Sequence, residues 1–290
     1  VKAARFEYHA PTTIDEAVSL LHEHGDECKA LAGGQSLVPI LALRLARFGS
    51  LVDLNNIPSL AGIEVTDGAL RIGAMTRQST AEHSEVLVRA APLLARALPF
   101  VGHFQIRNRG TVGGSIAHGD PASEIPAVVT ALGGELEARS VSETRRIPVD
   151  GFFSSVWETA LEPDELLVAV HLPLWSGRSG FGFEELAWRH GDFPIAGALC
   201  ALTLDARHRV ATARIALMGM GTTPVRAAAT EAALGGASVD ELDLESLGAL
   251  AVEATSPVDD VHASASYRRR VCGAMVRRVI AQAIEEARSG

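Results

Sequence analysis

Two short glycine-paired segments constrain this chain more than any other feature of its sequence. They read LAGGQSL at Leu31–Leu37 and GTVGGSIAHGDPASE at Gly110–Glu124. A glycine pair followed by a small hydroxyl residue lets a backbone approach something bulky and offers its N–H groups to an anion. Two such loops in one chain point to one ligand gripped from two sides, and a diphosphate suits both. Neither loop has the Gly-x-Gly-x-x-Gly spacing of a Rossmann turn. No Gly-Lys-Ser or Gly-Lys-Thr marks a P-loop either, so a nucleotide here needs a different architecture.

The chain has 290 residues, more than one core usually organises, so two or three compact units are expected. Apolar residues make up 47% and charged residues 21%, as in a well-buried globular protein. The net charge of −9 argues against general affinity for nucleic acid or an anionic membrane. The basic runs Arg107-Asn108-Arg109 and Arg268-Arg269-Arg270 read as solvated faces. Cys28, Cys200 and Cys272 are too dispersed to ligate zinc or an iron–sulfur cluster, which fits a reduced, cytoplasmic protein. No apolar stretch reaches membrane-spanning length, and no signal segment is expected.

Thr13-Ile14-Asp15-Glu16 is a capping box that opens a helix ending at Gly25. Cys28–Ala32 reads as a strand entering the first glycine loop, Ser36–Ala46 as the helix leaving it, and Ser50–Leu54 as a second strand. The first unit therefore spans residues 1–56 as a small α/β subdomain. The second spans 57–176. It contains a strand at Ala69–Ala74, one or two helices within Thr80–Val101, a helix at Ser123–Leu132 and strands at Gly134–Ala138, Arg145–Val149 and Glu165–Leu172. Ser176-Gly177-Arg178-Ser179-Gly180 reads as a linker. The third unit, 177–290, pairs strands Ala196–Asp205 and Val210–Gly219, followed by helices near Val225–Leu234, Leu244–Ala254 and Ser266–Arg288. The fold class is thus α+β.

In the first loop, Ala32-Gly33-Gly34-Gln35-Ser36 presents successive N–H groups where a helix begins, which suits phosphate. An ordinary tight strand-to-helix turn accounts for the pattern equally well. In the second, Thr111 and Ser115 add hydroxyls, while Asp120 and Glu124 add carboxylates suited to sugar hydroxyls. Phosphate donors followed by hydroxyl acceptors favour a nucleotide carrying a polyol over a bare anion.

The stretches AGGQSLVPILALRLA, IRNRGTVGGSIAHGDPASE and RHGDFPIAG together resemble the FAD-binding medium subunit of the molybdenum hydroxylases, over nearly the whole chain. That family includes xanthine dehydrogenase, aldehyde oxidase, carbon monoxide dehydrogenase and the bacterial N-heterocycle dehydrogenases. The resemblance implies a two-subdomain FAD-binding fold of the vanillyl alcohol oxidase type, plus a C-terminal α+β domain. It also implies that Lys29, Ala32, Gly33, Gly34, Gln35, Ser36 and Leu37 line one diphosphate loop. Thr111, Gly113, Gly114 and Ser115 would line the other, with Glu124 on the ribityl chain and Asp120 as a further sugar contact. Leu167, Asp192 and Phe193 would approach the flavin. His118 reads as a polar loop residue and not a catalytic base, and no residue of this chain is expected to be catalytic.

The family's electrons come from a molybdenum cofactor in a large partner subunit through two [2Fe–2S] clusters in a small one, in a dimer of heterotrimers. FAD passes them on to NAD, oxygen, a quinone or another carrier. Three departures bear on substrate and acceptor. Gln35 stands where carbon monoxide dehydrogenases usually carry histidine, which favours an aromatic N-heterocycle, purine or aldehyde. Trp188 replaces a basic residue, and so do Glu184 and Glu185 in their neighbourhood. The alternatives are a carbon monoxide dehydrogenase subunit, a stand-alone flavin oxidase and a scaffold that has lost FAD.

Overall fold

A computed structural model describes residues 2–290. The N-terminal lobe is a three-stranded parallel sheet. Strand β1 (Glu7–His9) leads to helix α1 (Ile14–His24), then β2 (Cys28–Leu31), the short helix α2 (Leu37–Ala42) and β3 (Ser50–Asp53). The strand order is β1-β3-β2. The capping box forms as read: Thr13 accepts from the Glu16 amide while Glu16 accepts from the Thr13 amide. The expected helix Ser36–Ala46 stops at Ala42, and Arg44 takes a left-handed conformation at φ 59° that no helix continues through.

The middle lobe opens with β4 (Ile63–Thr66) and β5 (Ala69–Gly73). Three short helices follow, α3 (Gln78–Glu82), α4 (Glu85–Ala90) and α5 (Pro92–Ala97), where one or two were expected. Pro92 starts a new helix because it lacks the N–H that would continue the previous one. After α6 (Phe104–Arg107), the segment read as a second loop is itself a helix, α7 (Val112–His118). Thr111 caps it by accepting from the Gly114 amide, and Gly119 ends it at φ 64°. Helix α8 (Glu124–Leu132), strands β6 (Glu135–Arg139) and β7 (Thr144–Pro148), the hairpin β8 (Phe153–Ser155) with β9 (Glu158–Thr159), and β10 (Leu166–Pro173) complete the lobe. Its antiparallel sheet runs β4-β5-β10-β6-β7.

The expected linker is a strand from Arg178 onward. β11 (Arg178–Leu186), β12 (Ala196–Leu204), β13 (Val210–Met218) and β14 (Val225–Arg226) form an antiparallel sheet in that order. Helices α9 (Ala228–Leu234), α10 (Leu244–Glu253) and α11 (Ala265–Ser289) follow. Of the two glycines in the run read as a linker, Gly177 lies in the open connection before β11, whereas Gly180 answers a packing need: a Cβ there would overlap the Ala283 carbonyl of α11, as one on the next inward glycine, Gly182, would overlap the Val279 carbonyl.

The two-residue period of β12 divides the core. Ala198, Cys200 and Leu202 face α11, while Leu199 and Ala201 face the middle lobe. Helix α8 lies in the core beside this sheet and is buried at all nine positions, hence its apolar sequence all round. The basic runs are solvated at Asn108, Arg109, Arg269 and Arg270, as expected, but each has one buried arginine. Arg107 is buried, bonded to Glu82 and to the carbonyls of Pro99, Val101 and Gly102. Arg268 is buried against the Ile195 carbonyl and Asp260. No described helix is long and apolar enough to cross a membrane.

Because α11 lies on the bare backbone of β11, Gly182→Ala should cost about 1–3 kcal/mol through overpacking, read as a lowered thermal midpoint. Gly235→Ala, whose methyl would meet nothing closer than 3.5 Å, should stay within about 0.5 kcal/mol of the parent.

Candidate functional site

The fold brings the two glycine segments into backbone contact. A Cβ on Gly33 would overlap the Arg109 carbonyl oxygen and stand 2.7 Å from Gly110 Cα. One on Gly114 would come 2.6 Å from the Thr111 hydroxyl and 3.3 Å from Ala32 Cβ. Gly113 packs against Ala74, and Gly110 against the Gln78 side chain. These glycines are therefore required by protein packing, whatever lies beside them. Gly34 differs: it sits at φ 72°, the left-handed region where glycine is free and a side chain is strained.

The segments also differ in what they leave available. In the second, the amide of Val112 donates to the Thr76 carbonyl, Gly113 to Ala74, Gly114 to the Thr111 hydroxyl and Ser115 to the Thr111 carbonyl. That segment therefore has no free run of donors at its start. In the first, none of the amides of Gly33, Gly34, Gln35, Ser36 and Leu37 donates to any acceptor among the described residues. The segment is half-buried apart from buried Gly33, and its turn is held by the Gln35 side-chain amide on the Gly33 carbonyl at 3.1 Å. A run of successive unmatched amides is the donor set an anionic diphosphate requires.

A polar clamp fixes the two segments together. Asn55 donates to the Ala32 carbonyl at 3.1 Å and to Asp53, whose carboxylate also accepts from Tyr8. Burial works against the Asp53 charge, but these donors hold the carboxyl below its ordinary range. Arg77 donates to Asn55 from one side of its guanidinium and to the Arg109 carbonyl from the other. Sequence reasoning missed Asp53, Asn55 and Arg77, because they carry no motif and come from separate elements. Gln78, also missed, donates its backbone amide to the Gly110 carbonyl at 2.9 Å.

Past α7, His118 stacks on Trp157 with ring centroids 5.7 Å apart. Burial depresses its proton affinity against the pull of Asp120, and the charge of exposed Lys29 adds to the depression. Lys29 is thereby placed within electrostatic reach of the end of α7. Asp120 is engaged internally, accepting from the Ala122 amide at 2.9 Å and from the Trp157 indole at 3.4 Å. Trp157 is itself held at φ 61° with its amide on the Gly119 carbonyl.

Glu124 is 6% exposed at the first turn of α8 and makes no hydrogen bond to another described residue. Burial, with Asp120 adding to it, pushes its carboxyl up to about 7. Only its own backbone amide opposes that shift, so the carboxyl has no partner residue and has capacity for a ligand. Ser115 is half-buried, whereas Thr111 is buried and its hydroxyl is committed to capping. Leu167 lies in the core of the middle lobe at 5% exposure, so its side chain is a packing element. Asp192 and Phe193 are exposed, Phe193 at 69%. Beside them a Cβ on Gly191 would strike the ring of His103, and His190 meets Phe100 edge-on.

This arrangement fits a dinucleotide-type cofactor: unmatched amides for an anionic bridge, and an unpaired buried acid for a neutral polar part. Comparisons with known proteins agree. The family of "FAD binding domain in molybdopterin dehydrogenase" matches residues 4–175, and that of "CO dehydrogenase flavoprotein C-terminal domain" matches residues 181–283. The 6-hydroxypseudooxynicotine dehydrogenase complex subunit alpha of Paenarthrobacter nicotinovorans is 39% identical, covering 99% of this chain and 97% of its own. The caffeine dehydrogenase subunit beta of Pseudomonas sp. strain CBB1 is 36% identical, covering 98% and 97%. Among solved structures, carbon monoxide dehydrogenase from Hydrogenophaga pseudoflava lacking the Mo-pyranopterin moiety superposes with a TM-score of 0.96 at 36% identity, over 99% of both chains. The chain belongs to the FAD-binding medium subunits of the molybdenum hydroxylases, the oxidoreductase family of the carbon monoxide and xanthine dehydrogenases.

Proposed function

We propose that this chain carries electrons from iron–sulfur clusters of a small partner subunit to an external acceptor, within a complex whose large subunit hydroxylates an aromatic N-heterocycle at a molybdenum cofactor. The observation that carries the FAD site is the run of five unmatched amides at Gly33–Leu37, clamped against the second glycine segment. Those amides would hold the diphosphate, with Lys29 nearby as a diffuse positive charge. Glu124 and Ser115 would meet the sugar-like chain, and Asp192 and Phe193 would stand beside the ring system. Thr111, Gly113 and Asp120 set the shape of α7 and its following turn. FAD, when bound, supplies a redox centre that exchanges electrons singly or in pairs.

This chain's own residues bind and orient, and no general acid–base pair is needed for that task. His118, neutral through burial and stacked on Trp157, fits the role of a wall residue. The N-heterocycle class is favoured by Gln35 and by the relatives named for 6-hydroxypseudooxynicotine and caffeine. A dimer of heterotrimers in a reducing, cytoplasmic setting fits this reading, and all three cysteines are free and buried. The complex isolated from its own cells should show flavin bands over iron–sulfur absorption, two companion subunits and molybdenum. A lone chain with a pure flavin spectrum would make it a stand-alone oxidase, and one without flavin would refute the cofactor assignment.

Two substitutions test the cradle. Gly34→Val places a branched side chain at φ 72° with its Cβ 3.1 Å from Val38. The expected product is folded by circular dichroism but devoid of flavin, and full flavin occupancy would show that the first segment is not the cradle. Arg77→Ala removes the strut between Asn55 and the Arg109 carbonyl, each then short of a partner. FAD affinity should fall about tenfold, or about 1.4 kcal/mol, with Arg77→Lys recovering only part because one ammonium lacks the two-sided fork.

A further inference from the structure

Glu185 is a carboxyl that neither the packing nor the cradle described above employs. On β11, Gly180 and Gly182 pass beneath α11, and Glu184 on that same face accepts from Arg278 at 3.2 Å and Gln282 at 3.0 Å. Phe181 and Phe183 turn the other way, onto the core of the middle lobe. The period of a strand puts Glu185 in the row of the two phenylalanines. An apolar row thus ends in a carboxyl directed between the C-terminal sheet and the middle lobe. Its Oε2 is sealed from solvent and has no hydrogen-bond partner.

Glu124 reaches the same region from α8, itself buried and without a partner residue, and its charge acts on Glu185. Among the described residues no cation is seen to balance the two. β12 has no charged residue, Glu124 is the only one on α8, and Asp120 adds a further negative group. Arg278 is engaged by Glu184 on the opposite face, and Arg96 of α5 by the Phe181 carbonyl and Glu286 of α11. Burial, with Glu124 beside it, pushes Glu185 up to about 8. At neutral pH Glu185 is therefore an acid with an O–H to give and no acceptor in the protein to receive it.

We propose that Glu185 is a further FAD-contacting residue, a carboxylic acid whose O–H donates to an acceptor atom of FAD held alongside Glu124. The inference rests on the FAD reading of this cleft and adds to it a proton linkage. Donation stabilises the protonated form further in the complex, so FAD binds the protonated protein. Below the free protein's titration no proton is exchanged. Above it, each FAD bound takes up one proton from solvent, and affinity falls as pH rises.

The test uses the full chain stripped of flavin and titrated with FAD between pH 6 and 9.5, followed by quenching of flavin fluorescence. On top of any dependence from Glu124 near pH 7, which wild type and variants share, wild-type affinity should fall by about a further tenfold per pH unit above about pH 8. Glu185→Gln keeps a donor at every pH and should lose that slope, binding within a few-fold of wild type at pH 7. Glu185→Ala should be about tenfold weaker at pH 7 and equally flat. Calorimetry at pH 9 in buffers of different ionisation enthalpy should read one proton taken up by wild type, a measurement that stands even if the variants fold poorly. A wild-type profile flat above about pH 8, or a slope above about pH 8 shared by Glu185→Gln, would overturn the proposal while leaving the FAD site intact. Failure of the wild type to bind FAD at any pH would instead overturn the cofactor reading, and this inference with it.

Discussion

The rest of the site depends on one contact between two stretches of bare backbone, Gly33 against the Arg109 carbonyl and Gly110. No side chain larger than hydrogen fits there. The contact joins a parallel three-stranded lobe to an antiparallel five-stranded one, two units that share no sheet. Backbone packing alone is weakly directional, so polar groups fix its register. Asn55 reads the first segment at the Ala32 carbonyl, and Arg77 reads both Asn55 and the second segment at the Arg109 carbonyl. A planar guanidinium suits this bridging role because its donors diverge in a fixed geometry.

The contact divides labour between segments that look alike in sequence. Each is Gly-Gly with a serine one or two positions on, yet one becomes a turn with unmatched amides and the other becomes the start of α7 with its amides consumed. Thr111 makes the difference. Its hydroxyl accepts from the Gly114 amide and closes an N-cap, whereas Ser36 makes no such bond at the start of α2. Local sequence does not reveal this asymmetry, since the acceptors for Val112 and Gly113 are the carbonyls of Thr76 and Ala74, distant in the chain.

Legibility elsewhere follows the range of the interactions. Helix α1 was readable because its capping box and apolar stripe are local, and α11 because Val271, Met275, Val279 and Ala283 keep one stripe. Ser176 and Gly177 do lie in a connection, but Arg178–Gly180 are strand; Gly180 was read with the linker because a glycine required under a helix resembles one required for flexibility, and only α11, a hundred residues later, distinguishes them. Contiguous candidate site residues could be named through resemblance to a family. Asn55, Arg77 and Glu185 were not recovered as site residues, for each acquires its meaning from the partner that topology supplies.

The acidity of the site is harder to reconcile with an anionic cofactor than its glycines are, and burial is what reconciles it. A chain of net charge −9 places Asp120, Glu124 and Glu185 in one neighbourhood. Were all three ionised, they would repel a diphosphate and oppose negative charge on any group beside them. Desolvation instead raises Glu124 to about 7 and Glu185 to about 8, while Asp120 keeps its Ala122 and Trp157 donors. At neutral pH Glu185 then acts as a neutral hydrogen-bonding group and Glu124 is only partly ionised, which weakens the negative field that the amides of Gly33–Leu37 and Lys29 oppose. In the free protein this arrangement carries a cost in stability. Both carboxyls are raised above their unfolded value of 4.5, so their contribution is intact below that pH, declines as pH rises from there, and is lost once pH has passed about 7 for Glu124 and about 8 for Glu185. A ligand that accepts a proton-bearing bond from Glu185 offsets that cost in the same pH range, which couples the stability of the subunit to the presence of its cofactor.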